Sequence, residues 1–235
     1  ACTELTVRGE LNFAGMLKAT LDAVFRRVKD KKPFSSGDYS TAGSSGYYST
    51  AGSSGDSSTA GSSGNYSTAG SSGNYSTAGS SGDSSTAGSS GYYSTAGSSG
   101  DSSTAGSSGD SSTAGSSGNY STAGSSGYYS TAGSSGYSST AGSSGYYSTA
   151  GSSGDSSTAA ATGSHCRAKA EGDNSIAVAN GRKSKARGAM GCYLVLTEYD
   201  DDRNFLWAKM ARVDGSTVKE NVWYTLQDGE FVKAE

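Results

Sequence analysis

The chain has 235 residues and a formal net charge of -3, with 36 glycines, one proline and only 32% hydrophobic residues. That composition excludes a large Leu/Ile/Val core, and the near balance of charge removes the electrostatic case for a nucleic-acid or membrane partner. Low apolar content ordinarily signals disorder, but here the deficit is confined to one regular repeat.

Charge is unevenly placed: residues 1–37 carry +3, 38–163 carry -6, 164–191 carry +4 and 192–235 carry -4, and the block 38–163 contains no Lys or Arg. Cys2, Cys166 and Cys192 are odd in number and far apart, so neither a disulfide framework nor a zinc spacing is expected. That cysteine usage favours a reducing intracellular compartment over a disulfide-rich secreted setting. No run approaches 18 apolar residues, nothing reads as a signal peptide, and the start at Ala1 without Met leaves upstream sequence open.

Residues 4–8 alternate like a strand, and Leu11–Asp30 reads as an amphipathic helix. Leu17, Leu21, Val24, Phe25 and Val28 fall at helical spacing, and Asn12 is a candidate N-cap. Arg26, Arg27, Lys29, Lys31 and Lys32 crowd the C-terminal end, where cations suit the helix dipole. A membrane-surface helix is one reading of that cluster; a helix covering the first coil of the repeat is the favoured one.

From Asp38 to Gly163 run 14 near-perfect nonapeptides with consensus [D/N/Y]-[Y/S]-S-T-A-G-S-S-G, and three degenerate units follow in frame at 164–172, 173–181 and 182–190. The degenerate units decode the perfect ones. Position 3 stays small (Ser157, Cys166, Ser175, Ser184), as do position 5 (Ala159, Ala168, Ala177, Ala186) and position 7 (Ala161, Ala170, Ala179, Gly188). Position 4 takes Thr158, Arg167, Ile176 and Lys185, and position 6 takes Ala160, Lys169, Val178 and Arg187. A period of two with a small side and a long, charged side predicts a short strand whose 3/5/7 side faces a cramped interior. Gly at position 9 followed by Asp, Asn or Tyr is turn chemistry.

One unit cannot close around its own side chains, so two make an 18-residue coil. The expected fold is therefore mainly β: a narrow parallel β-solenoid over 38–190, with an N-terminal strand-plus-helix cap at 1–37 and a small antiparallel β cap at 191–235. At ~4.8 Å per coil the stack is roughly 40 Å long. Interior Ser hydroxyls need partners along the ladder or on nearby carbonyls. A flexible Gly/Ser linker is the rival reading, but a linker has no need of Ala at position 5 of every unit. Discrete solenoids need covered ends; self-association as a dimer or fibre stays open.

Variation is confined to positions 1 and 2, which hold thirteen of the 16 tyrosines. The position-2 tyrosines Tyr39, Tyr48, Tyr66, Tyr75, Tyr93, Tyr120, Tyr129 and Tyr147 are the candidate binding residues. Stacked coils are expected to align them into ladders, which stiffen the turns and present an aromatic surface to a protein or glycan. In the C-terminal segment, Tyr193–Tyr199 and Phe205–Val213 alternate, and Asp228-Gly229 separates two further short runs, a strong hairpin signal. Trp207 and Trp223 are expected to pack within that unit.

Catalysis has little support. The lone histidine, His165, stands at a position-2 turn site, and Cys166 occupies an inward Ser position, so the pair is expected on opposite faces of a strand. No metal or cofactor is expected: Asp occupies position 1 in only six of 14 units, too few carboxylates for a calcium roll, and Asp200–Asp202 reads as an exposed acidic turn. A threonine rank at position 4 (Thr41, Thr50, Thr59, Thr68, Thr77 and onward) makes ice binding the principal alternative. A second alternative is a DNA mimic, although six Asp in 126 residues fall far short of one charge per ~1.7 Å.

The order ELNFAGMLKA, nonapeptide repeats, NSIAVANGRKSKARGAMGCYLVLTEYD and WYTLQDGEFV resembles an uncharacterised family encoded by bacteriophages, prophages and gut bacteria, over essentially the whole chain. That resemblance implies a phage or mobile-element origin, adds a phage particle as a location and a phage anti-defence protein to the second alternative, and supplies no catalytic residues. The stretch SIAVANG…SKARGA is also similar to the head repeats of trimeric autotransporter adhesins, which form β-rolls. The expected function is a non-enzymatic, rigid scaffold presenting Tyr/Asp/Thr ladders for protein or surface recognition, in a phage-related setting.

Overall fold

The computed structural model describes residues 34–234. The expected strand at 4–8, the helix at 11–30 and Cys2 lie outside the described residues.

The repeat forms a parallel β-solenoid of about nine coils of ~18 residues. Alternate nonapeptides enter opposite sheets, and each sheet has 11 strands. In one sheet Tyr48–Ser54 lies beside Tyr66–Ser72, with Ala51 against Ala69. In the other, Tyr39–Ser45 lies beside Ser57–Ser63, with Ala42 against Ala60. The 18-residue register places every residue over its own counterpart one coil away. It continues past both ends of the near-perfect block. Phe34–Ser36 pairs in parallel with Tyr48–Ser54. At the other end Ile176–Asn180 pairs in parallel with Tyr193–Tyr199, where the spacing shortens by one residue and Ile176 faces Tyr193.

The interior is built from positions 3, 5 and 7. Ala51, Ala69, Ala87 and their counterparts are fully buried, as are Ser49, Ser58 and Ser62. Burying a hydroxyl without a partner costs roughly 1–3 kcal/mol. Through most of the near-perfect block the serines answer that cost across the sheets, whereas the Ser157 and Ser175 hydroxyls lie 3.2 Å apart along the ladder. Ser49 Oγ lies 2.7 Å from Ser62 Oγ in the opposite sheet. Ser49 Oγ also donates to the Ser63 carbonyl at 2.8 Å, and Ser62 Oγ to the Ser49 carbonyl at 3.1 Å. Two hydroxyl protons thus serve three short contacts, and the arrangement recurs coil after coil, as at Ser58/Ser71 and Ser67/Ser80. Only side chains as small as Ala and Ser let the sheets approach this closely.

The turns rest on position-9 glycine. Gly91 has φ +150°, and a Cβ there would overlap the Gly73 carbonyl one coil below. Its N–H donates to the Ser108 carbonyl one coil above at 3.0 Å. The opposite holds at position 6, where a Cβ on Gly88 would meet nothing within 4 Å.

At the C-terminal end both sheets finish antiparallel. Phe205–Arg212 pairs with Tyr193–Tyr199, and Tyr224–Gln227 forms a hairpin with Glu230–Lys233. Leu194, Leu196, Val213, Val218, Tyr224 and Leu226 supply the aliphatic and aromatic core that the repeats lack. The tryptophans do not fill that core. Trp207 lies over Gly229 of the hairpin turn but is 53% exposed. Trp223 is half-buried, with the Arg187 guanidinium 4.8 Å above its ring.

Asp214 closes the turn before Val218: its Oδ1 accepts the N–H groups of Ser216, Thr217 and Val218 at 2.8–3.0 Å. The Ser216 and Val218 N–H groups hold its carboxyl down at about 2. A depressed carboxyl pKa contributes stability above the unfolded value and loses it as pH falls through the folded one. Amide protection at Ser216–Val218 should therefore fade only as pH approaches about 2, whereas Asp214→Ala should abolish it at neutral pH. Protection in that variant equal to the parent's would contradict the assignment.

Candidate functional site

Positions 1 and 2 ride on the edges of the solenoid, and all thirteen of their tyrosines are 38–89% exposed. Because alternate units enter opposite sheets, the eight position-2 candidates divide. Tyr39, Tyr75, Tyr93, Tyr129 and Tyr147 lie along one edge, and Tyr48, Tyr66 and Tyr120 along the other. They form patches, not one continuous surface. Tyr75 and Tyr93 stack at 5.2 Å with planes 8° apart. Tyr48 and Tyr66 stack at 5.1 Å, with Tyr47 edge-on to both.

The largest patch is a double column. Tyr128 stacks on Tyr146 at 5.1 Å, Tyr129 stacks on Tyr147 at 5.2 Å, and the two columns meet edge to face. Within each stacked pair the faces turned to each other are occupied, so edges and hydroxyls project outward. Burial and the neighbouring rings hold the Tyr128 hydroxyl above the ordinary phenol pKa. Tyr47 is raised as well, first by Tyr66.

His165 extends this column, its ring 5.2 Å from both Tyr146 and Tyr147. Desolvation, then Lys183 and Arg182, push its pKa below the usual imidazole value. Cys166 faces the other way and is fully buried. Its Sγ has two acceptors for its one proton, Ser184 Oγ at 2.9 Å and the Ala161 carbonyl at 3.2 Å, and burial raises its pKa. Cys192 is buried and raised in the same way. These are thiols in serine positions. In a Cys2→Ser background a thiol reagent should label neither of them until denaturation, when both react. Cys166→Ser should change stability by no more than about 1 kcal/mol. Rapid labelling of the native protein would overturn their interior placement.

Among the described residues carboxylates do not converge. Asp200 accepts from the Asn204 backbone and side-chain amides at 2.7 and 2.9 Å, and Asp201 pairs with Arg182. Among the described residues no three His, Cys, Asp or Glu side chains gather as a metal site, and no helix is long and apolar enough to cross a membrane.

The threonine ranks also divide between faces: Thr41, Thr59 and Thr77 on one sheet, Thr50 and Thr68 on the other. Beside each rank the glycine column opens a trough, floored on one face by Gly70, Gly88 and Gly106 and walled by Ser72 and Ser90. At its N-terminal end the Phe34 ring, 72% exposed, lies over Gly52. Counting the frame back from Asp38 puts Phe34 at position 6, the signal that would have placed it there.

No protein-family model, curated protein or solved structure matches the chain.

Proposed function

We propose that the chain is a non-enzymatic, rigid scaffold that recognises a protein partner through tyrosine patches on its edges, in the phage-related setting the sequence resemblance implies. One observation carries this reading: thirteen tyrosines stand exposed on a frame that does not need them. Residues 101–118 make a full coil with no tyrosine, yet keep the register of their neighbours. Exposed aromatic patches on a rigid frame suit partner binding. A protein partner is favoured over a glycan because the stacked rings turn their faces to one another, leaving edges and hydroxyls to the outside. Affinity capture from a host lysate with a Tyr48→Ser/Tyr66→Ser variant as control tests it. A stoichiometric partner lost in the variant is expected; one held equally by both would count against the reading.

The alternative of an ice-binding face rests on the threonine ranks. The trough beside each rank interrupts the flat plane that ice requires. We expect no thermal hysteresis at millimolar protein, and hysteresis would move the function to ice.

A further inference from the structure

The tyrosine columns have a gap one rung wide. Along one edge position 2 reads Tyr75, Tyr93, Ser111, Tyr129, Tyr147, and position 1 beside it reads Asn74, Tyr92, Asp110, Tyr128, Tyr146. Tyr93 stacks on Tyr75 below and Tyr129 stacks on Tyr147 above. Their other faces therefore look at each other across Ser111, two coil rises apart, roughly 10 Å. A single flat group at mid-height would sit about as far from each ring as the rings of the filled ladder sit from one another, 5.1–5.2 Å. The second column repeats the gap, with Asp110 between Tyr92 and Tyr128.

We propose that the missing rung at Asp110–Ser111 is a binding slot for a guanidinium group, supplied by an arginine side chain of the protein partner. The inference rests on the recognition reading above and names the chemistry of its partner. Three requirements meet there. The ligand must be planar, because the slot is one rung thick between two ring faces. It must be cationic, because Asp110 occupies position 1 of the gap rung and aromatic faces attract cations. It gains from a forked donor, because a guanidinium pairs bidentately with a carboxylate, whereas an ammonium is a compact point charge. The block 38–163 contains no Lys or Arg of its own, so the cation comes from outside it.

No other rung combines these features among the described residues. At Asp56–Ser57 the carboxylate already accepts from Asn74 Nδ2 at 3.4 Å, and the neighbouring position-1 residues are Asp38 and Asn74 rather than rings. On the opposite edge Ser84 and Ser102 are consecutive rungs between Tyr66 and Tyr120, leaving a gap too wide for one planar group.

The test is a titration of the full chain with N-acetyl-arginine amide, followed by the ring signals of ¹³C-labelled tyrosine. Millimolar binding is expected, with shifts confined to Tyr92, Tyr93, Tyr128 and Tyr129. Asp110→Asn should weaken it about tenfold, as loss of a charged hydrogen-bond partner does. N-acetyl-lysine amide should bind several-fold more weakly. Ser111→Tyr restores the rung with a residue the repeat uses at this position, so it should fold normally and abolish binding. Unchanged binding in Ser111→Tyr, equal shifts at Tyr48 and Tyr66, equal affinity for the lysine amide, or no shift at 100 mM would each overturn the proposal. If the slot fails while Tyr48→Ser/Tyr66→Ser still loses a captured partner, recognition by the tyrosine patches stands and only the slot falls.

Discussion

Gly91→Ala should unfold the coils around it, whereas Gly88→Ala, three residues earlier, should be silent or mildly stabilising. The two positions are chemically identical in sequence and opposite in surroundings. Gly91 has φ +150°, a region that costs other residues ~1–3 kcal/mol. Its added Cβ would also overlap the Gly73 carbonyl. Relieving that overlap means lifting the Gly91 turn off the coil below and losing the bond from the Gly73 N–H to the Ser90 carbonyl, 3.0 Å. A combined loss of about 3 kcal/mol or more is expected. Gly88 is extended, and its Cβ would point into the open trough. Alanine there reduces the freedom of the unfolded chain and should add about 0.4–1 kcal/mol. Denaturant unfolding of the two variants reads the difference, and equal stabilities would contradict the stacking of the turns.

The second large effect is expected at Ala69→Leu. Ala69 is buried between Ala51 and Ala87 of its own sheet and faces the opposite one. On its strand it is flanked by Ser67, 2.8 Å from Ser80 Oγ, and Ser71, 2.7 Å from Ser58 Oγ. Leucine has no room unless the sheets separate, and separation breaks those hydroxyl pairs. Overpacking costs ~1–3 kcal/mol, and each stranded hydroxyl adds about 1–3 kcal/mol. Leucine at the adjacent Thr68, which is exposed, should be tolerated. A stable Ala69→Leu protein with native amide protection would refute the inward assignment.

The inward assignment was legible because the degenerate units act as natural substitutions. Arg167 and Lys169 could not face a cramped interior, while Cys166, Ala168 and Ala170 could, and the last three are buried. The partners of the serines were less legible, since sequence gives a side chain's direction but not the distance between sheets. Position 6 was legible as an outward strand position, but the trough that its stacked glycines open along each face depends on the coil register. The division of the tyrosines between two edges follows from alternate units entering alternate sheets, and the Ser111 gap follows from the same pairing.

The turn conformation was not legible at all. Residues 65–73, 74–82 and 119–127 are the same nonapeptide, NYSTAGSSG. Tyr66 and Tyr75 begin seven-residue strands, while Tyr120 has φ +54° and its strand begins at Thr122. The Tyr66 N–H donates to Tyr47 in the preceding coil, and the Tyr120 N–H to Tyr137 in the following one. Identical local sequence adopts both forms, so the choice is made by the coils above and below.

Glycine, serine, threonine and alanine here form strands with a fixed inside and outside, the frame on which the tyrosines stand. Cysteine scanning across residues 103–108 tests it most directly. Single cysteines are placed at each position in a background lacking Cys2, Cys166 and Cys192, and native labelling rates are compared. Cysteines at Thr104, Gly106 and Ser108 should label fast, and those at Ser103, Ala105 and Ser107 slowly, in strict alternation. Uniformly fast labelling would mean a flexible linker, and the reverse alternation would mean that inside and outside are exchanged.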